Sequence, residues 1–248
     1  SEVQTVKAAN GQSVAVVMVA GPMMKAVGSA QSGTSTVQAR RELQKAANDP
    51  NVSAIMLWID SPGGTVSGTA DFAAEVKSAS AKKPVWAYVE DLGASAAYWA
   101  ASQADKIFAN NSTALVGSIG TLSVVYDLSK AAEDAGIKTL VFGTGPLKGT
   151  GVQGAAVTDD QQAYIRGIVE DSQVAFDAAV QKGRNLTAKQ LAAVKTGGVF
   201  SASEALERKL IDGIKSFDAV LNDLGAEAKR ANKANSNRAE SPAIQPTQ

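Results

Sequence analysis

The sequence predicts an α/β protein: a parallel sheet with flanking helices and a helical C-terminal third. Three observations carry this. The strand-like runs are continuously apolar rather than alternating, each is followed by a turn and then a helical pattern, and the last third holds three helix-start signals. At 248 residues the chain suits one main domain, placed at 1–225, with a polar tail at 226–248.

Val14 to Ala20 is β-branched and unbroken, which reads as a buried strand, and Gly28 to Ser35 reads as a loop. Thr36 to Asn48 spaces Val37, Leu43, Ala46 and Ala47 helically, and Asp49-Pro50 ends it. Ala54 to Ile59 is the second strand, Gly68 to Ala79 a helix with Phe72 and Val76 on one face, and Val85 to Val89 the third strand. Lys106 to Ala109 and Thr139 to Phe142 are further strand candidates, separated by a helix over Asp127 to Ala135 that Gly136 terminates. Three capping boxes follow, Thr158 with Gln161, Thr187 with Gln190 and Ser201 with Glu204. The longest helix, from Asp159 to about Lys182, carries a stripe of Ile165, Ile168, Val169, Phe176 and Val180 suited to a core or a subunit interface. From Ala226 the chain is polar, poor in large apolar residues and ends with two prolines, which predicts a disordered tail.

Composition removes whole classes of chemistry. With no cysteine and no histidine there is no thiolate nucleophile, no Ser-His-Asp triad and no Cys- or His-ligated metal. No motif calls for a metal or a cofactor, and none is expected. Proton transfer falls to Lys, Asp, Glu or Tyr. Lys plus Arg equals Asp plus Glu at 24 each, which gives no reason to expect a nucleic-acid surface. Val14 to Ala20 is far short of the roughly 20 residues a membrane span needs, and Ser1 to Gln12 lacks an apolar signal core, so the reading is a soluble, cytoplasmic chain.

Ligands of open parallel sheets bind at the carboxyl ends of the strands, which directs attention to the turns after Ile59 and Val89. The first holds Asp60-Ser61-Pro62-Gly63-Gly64, where residues without Cβ let backbone N–H groups approach a ligand. The second holds Gly93-Ala94-Ser95-Ala96-Ala97, a serine among small residues at a helix start. Ser95 reads either as a helix cap or as a nucleophile, and the segment departs from the G-x-S-x-G elbow only in its last residue. A glycine turn beside a helix-opening serine is what acyl transfer needs: a nucleophile and two N–H donors for the oxyanion.

Without histidine the base for such a serine is a neutral lysine. Bringing a lysine from about 10.4 to about 7–8 takes roughly 4 kcal/mol of destabilisation of its charged form, so the residue belongs among small or apolar neighbours. Lys148, in Gly145-Pro146-Leu147-Lys148-Gly149-Thr150, fits this description; as a purely local sequence it also reads as an exposed loop lysine.

The ordered set of SPGG, ASAAY, Gly117-Ser118-Ile119-Gly120 and a lysine 53 residues after Ser95 resembles the signal peptide peptidase A family. The resemblance spans about Val14 to Leu224, includes the ending Gly198-Val199-Phe200-Ser201, and is strongest to the phage-type branch of capsid assembly, or prohead, proteases. Bacterial members usually have ASGG where this chain has Ser95-Ala96-Ala97, and often an aromatic residue where it has Leu147. The resemblance implies a Clp-protease-like, crotonase-type fold and a serine endopeptidase with a Ser/Lys dyad. Ser95 is then the nucleophile, Lys148 the general base and Ser118 the residue orienting its amine. Gly63, Gly64 and the amide of Ala96 form the oxyanion hole. It also implies a protein or peptide substrate, scaffold or capsid proteins of a phage head for this branch, a homo-oligomer, and a location in the host cytoplasm or the phage prohead. The alternatives are a bacterial signal peptide peptidase degrading cleaved signal peptides, an assembly or scaffold protein with little peptidase activity, and a crotonase-type acyl-CoA enzyme. The last usually needs acidic pocket residues, for which only Asp60 and Asp91 stand near the two turns.

Overall fold

The computed structural model describes residues 3–28 and 32–240, with side chains to residue 234. The elements in order are β1 (Gln4–Lys7), β2 (Ser13–Ala20), β3 (Met23–Met24), β4 (Thr34–Ser35), α1 (Thr36–Asn48), β5 (Ala54–Ser61), α2 (Thr69–Ser80), β6 (Val85–Ala94), α3 (Ala96–Ala101), β7 (Lys106–Ala109) and β8 (Leu115–Gly117). They continue with α4 (Ser129–Asp134), α5 (Asp159–Gly183), α6 (Ala188–Val194), β9 (Val199–Ser201), α7 (Ala202–Glu207), β10 (Gly213–Ile214) and α8 (Phe217–Glu240). This is the expected α/β architecture with a mostly parallel sheet. The loop expected over Gly28 to Ser35 falls partly on residues 29–31, outside the described residues. By its internal contacts the chain forms two compact units, Ser1–Gly120 with Phe176–Gln248, and Thr121–Ala175.

In the first unit the strand order is β1-β2-β5-β6-β7-β10, with β1 antiparallel to β2 and the remaining neighbours in this order parallel. Strand β2 from Val14 on and the first parts of β5 and β6, Ala54 to Ile59 and Val85 to Val89, are continuously apolar because both sheet faces are covered there. Ala15, Val17, Ile55, Leu57, Val85 and Ala87 pack with Leu43 of α1, Phe72 of α2 and Tyr98 of α3. Their neighbours Val14, Val16, Met56, Trp86 and Tyr88 pack on the other face with Val220, Leu221 and Leu224 of α8.

Strand β6 changes partner along its length. Trp86 to Val89 pairs with β7, whereas Leu92 to Ala94 pairs with β8, which in turn pairs antiparallel with β9. The β5–β6 register shifts between Ile59 and Ser61, after which Ser61 lies opposite Gly93. Beyond β7, this end of the sheet is thus formed by β5, β6 and β8.

Two expectations are corrected. Helix α8 runs through Ala226 to Glu240, where a disordered tail was expected, and Ala228 is fully buried on it. Alanine-rich sequence with Lys, Arg and Glu and no Gly or Pro between Ala226 and Glu240 favours helix despite its polarity. Residues 241–248 lie outside the described residues. Thr139 to Phe142 forms no strand, since no ladder partner lies beside it among the described residues and its side chains stand mostly in solvent.

Within Thr121–Ala175, Asp127 accepts hydrogen bonds from the Ser129 backbone N–H (2.9 Å) and hydroxyl (2.6 Å) where α4 begins, and Gly136 (φ 72°) follows its end. Gln161 is the only buried residue of this unit, and Phe142 is 92% exposed, Leu122 81% and Tyr126 76%. The apolar stripe of α5 divides accordingly: Phe176 and Val180, in the first unit, are buried, while Ile168 is exposed. The Thr158/Gln161 and Thr187/Gln190 boxes close reciprocally. The third is half formed, because Glu204 accepts from Arg208 at 2.6 Å instead of reaching back to Ser201.

Candidate active site

Strand β6 delivers Ser95 to the carboxyl end of the sheet, and α3 leaves from it immediately. Between them Ser95 takes φ 52°, ψ −124°, a conformation that costs a residue with a Cβ about 1–3 kcal/mol. Its backbone is held from both sides: its N–H donates to the Gly117 carbonyl at 2.8 Å, and its carbonyl accepts from Trp99 N–H at 2.9 Å. The hydroxyl makes no capping bond to α3 and has no partner among the described residues. Ser95 therefore occupies the cap position without capping, on a sharp strand-to-helix turn that holds a half-buried, uncommitted hydroxyl.

Helix α3 holds this turn because all six of its residues are buried. Trp99 stacks on Phe176 with ring centroids 4.7 Å apart, and Tyr98 donates its hydroxyl hydrogen to the Leu210 carbonyl at 2.8 Å. Burial pushes the Tyr98 phenol above its usual pKa, which favours the neutral, donating form. Ala96 and Ala97 leave room for the two turns to close on each other.

The Ser61-Pro62-Gly63-Gly64 turn lies directly against Ser95. A Cβ on Gly63 (φ 90°) would stand 2.6 Å from the Ser95 Cβ, 2.7 Å from the Ala94 carbonyl oxygen and 2.7 Å from the Ala96 nitrogen. The three amides expected to serve an oxyanion differ in their state. Gly63 N–H already donates to the Ser61 hydroxyl at 3.1 Å, whereas the N–H groups of Gly64 and Ala96 have no acceptor among the described residues.

Ser118 follows β8 as Ser95 follows β6. Ala94 and Gly117 are paired in the parallel ladder, so the two serines occupy adjacent positions at the ends of neighbouring strands. Ser118 also has a positive φ, 51°, is pinned by its N–H to the Gly198 carbonyl at 2.7 Å, and leaves its hydroxyl without a partner among the described residues. The first unit thus brings Ser95, Gly63, Gly64, Ala96 and Ser118 to one end of the sheet. Lys148 belongs to Thr121–Ala175, where it is exposed in a turn whose Lys148 N–H donates to the Gly145 carbonyl at 3.1 Å.

Two features escaped the sequence reading. In sequence Ser61 is only part of a turn, yet it is fully buried and its hydroxyl both donates and accepts a hydrogen bond. The segment Gly21 to Met24 forms a strap along the glycine turn, with Met23 N–H donating to the Gly63 carbonyl at 2.8 Å and Thr65 N–H to the Met23 carbonyl at 2.9 Å. The serine two residues before a glycine was the available signal for the first; nothing local marked the second. Among the described residues no three Asp or Glu side chains gather as a metal site, and no helix is long and apolar enough to cross a membrane.

Comparison with known proteins adds to this geometry. The chain is similar to Protease 4 of Salmonella typhi, at 29% identity over 223 residues, covering 88% of this chain and 35% of that protein. It is 31% identical over 193 residues to the capsid assembly protease C of Escherichia phage lambda, covering 77% of this chain and 43% of that protein. It is 24% identical over 212 residues to the chloroplastic serine protease SPPA of Arabidopsis thaliana, covering 84% and 31%. The chain thus spans less than half the length of these three relatives. The family model described as peptidase family S49 matches residues 77–231, which hold Ser95, Ser118 and Lys148. The chain belongs to peptidase family S49.

Proposed function

We propose that this member of the family is a serine endopeptidase that cleaves peptide bonds through an acyl-enzyme, with Ser95 as nucleophile and Lys148 as base. The observation that carries the reading is the strained Ser95 turn: an uncommitted hydroxyl, placed against a glycine turn, with the amides of Gly64 and Ala96 unpaired. In the reaction neutral Lys148 takes the Ser95 hydroxyl proton as Oγ attacks the substrate carbonyl. Gly64 and Ala96 N–H donate to the oxyanion, and the Lys148 ammonium returns its proton to the leaving amine. A lysine N–H donating to the Ser118 hydroxyl would aim the nitrogen lone pair at Ser95. Water then repeats the sequence on the acyl-enzyme.

A fluorophosphonate that forms a stable adduct with activated serines tests this. Peptide mapping is expected to place the adduct on Ser95, with Lys148→Ala slowing labelling at neutral pH by about 10²-fold or more. Absence of the adduct in a folded oligomer would favour the assembly-protein reading instead.

The substrate is an extended polypeptide with small or apolar side chains at the scissile bond, in keeping with the Gly, Ala and Ser surroundings of Ser95. Scaffold or capsid protein of a phage head is the first class, supported by the phage relative and by Ala96-Ala97; cleaved signal peptides are the second, supported by the similarity to a putative signal peptide peptidase SppA of Enterococcus faecium, 28% identical over 191 residues.

The working form is a homo-oligomer in which another copy covers Thr121–Ala175. That unit buries no apolar side chain of its own and leaves Lys148 exposed, while a lysine base needs desolvation. Burying a phenylalanine at such an interface contributes about 2–3 kcal/mol. Phe142→Asp is therefore expected to keep the fold by circular dichroism, to shift the mass in light scattering toward the monomer, and to lower peptidase activity about tenfold or more. Unchanged mass would remove Phe142 from the interface.

A further inference from the structure

We infer that Ser61 is a positioning residue for the oxyanion site, selecting through its buried hydroxyl which glycine amide faces Ser95. The inference rests on the reading of Ser95 as nucleophile.

Ser61 ends β5 and has no exposed surface. Its hydroxyl donates to the Gly21 carbonyl at 2.6 Å and accepts from Gly63 N–H at 3.1 Å. Both bonds matter for the turn. The first ties β5 to the start of the Gly21–Met24 strap, one step past the final β2–β5 pair, Ala20 with Asp60. The second draws Gly63 N–H back onto the strand it has just left, so this amide is withdrawn from any ligand. With the Gly63 carbonyl taken by Met23 N–H at 2.8 Å, Gly63 has no free backbone polar group, and Gly64 presents the next amide.

The same bonds fix a close contact. Gly63 stands so near Ser95 that even a Cβ would meet it at 2.6 Å, so any rotation of the turn is felt at the nucleophile. Pro62 fixes one φ, but neither glycine has a side chain to define its own conformation. The hydroxyl of Ser61 provides that definition. Without it the Gly21 carbonyl and Gly63 N–H lose a buried partner, and Gly63 N–H is free to compete with Gly64 N–H for the oxyanion position.

The test compares Ser61→Thr with Ser61→Val, which have the same shape and differ in the hydroxyl, alongside Ser61→Ala. With a fluorogenic peptide of small and apolar residues, Ser61→Ala and Ser61→Val are expected to lose about 10- to 100-fold in kcat with KM within about threefold, less than the full loss of an oxyanion donor. Ser61→Thr is expected to stay within about fivefold of wild type. Affinity for a peptide boronate, whose adduct carries the tetrahedral charge, should fall in parallel with kcat. Affinity of the uncleaved peptide for the Ser95→Ala protein should be the same with and without Ser61→Ala. Equal kcat in the Thr and Val proteins, or a loss confined to KM, would overturn the role of the hydroxyl while leaving Ser95 in place. If Ser95→Ala itself kept turnover, the underlying reading would fail instead. Should Ser61→Ala not fold, the Thr and Val pair decides alone.

Discussion

Ser95→Ala and Ser95→Gly are both expected to lose peptidase turnover by about 10⁴-fold or more, and the glycine variant is expected to unfold at a higher temperature than wild type. The loss follows from removing the nucleophile, since water attacking a bond held in the same site recovers only a small part of the rate. The gain in stability follows from φ 52°, ψ −124°, where a Cβ costs about 1–3 kcal/mol and glycine removes that cost. Glycine also loses about 0.5–1 kcal/mol through the greater freedom of its unfolded chain. The balance favours Ser95→Gly by about 1 kcal/mol, which for a chain of this size raises the unfolding midpoint by about 2–4 °C. No cap is lost to offset it, because the hydroxyl makes no bond to α3. Ser95→Ala keeps the Cβ and the strain, so its midpoint should match wild type. Calorimetry of the three proteins beside their peptide turnover checks both halves. Turnover within tenfold of wild type in either variant would remove Ser95 from the chemistry, and a less stable glycine variant would show that the turn is not strained.

The same residue shows how far the sequence could be read. The strand runs were legible because a sheet covered on both faces leaves no polar alternation, and Leu57 and Met56, buried in different cores, show the cause directly. Gly93-Ala94-Ser95-Ala96-Ala97 announces a serine at a helix start, but cap and nucleophile share one sequence signature and differ in backbone dihedrals and hydroxyl partners. Those depend on Gly117, 22 residues away, whose carbonyl holds the Ser95 N–H. The glycine turn is legible as SPGG, while the different hydrogen-bonding states of its two glycine amides are not, because they depend on where the Ser61 hydroxyl points. Thr139 to Phe142 fails for the opposite reason: β-branched and aromatic residues describe a surface suited to pairing, and among the described residues no strand pairs with it. The helix through Ala226 to Glu240 is masked in the sequence because its low hydrophobicity points to disorder while its alanines favour helix.

Gly64→Ala is expected to cost about 3 kcal/mol of stability and to lower turnover by about 10²–10³-fold. Unlike Gly63, Gly64 has no positive φ and is required by space alone. A Cβ at Gly64 would lie 1.9 Å from the Met23 carbonyl oxygen and 2.7 Å from the Met23 carbonyl carbon and nitrogen, and backbone atoms cannot swing aside as a side chain does. The clash is relieved only if the Gly21–Met24 strap separates from the turn. That separation strains the Met23-to-Gly63 and Thr65-to-Met23 hydrogen bonds and opens the site of Met23, whose side chain is fully buried. It also carries the Gly64 amide away from the place where an oxyanion would form. Gly63→Ala should be equally inactive by another route, since its Cβ meets Ser95 itself at 2.6 Å. The two are told apart by the fluorophosphonate. Gly63→Ala displaces the nucleophile and should react at less than about 1% of the wild-type rate, while Gly64→Ala loses one donor to the developing charge and should label slowly but to completion. Wild-type turnover in Gly64→Ala would mean that the strap and turn move together without disturbing the site, and the oxyanion donors would then have to be sought away from SPGG.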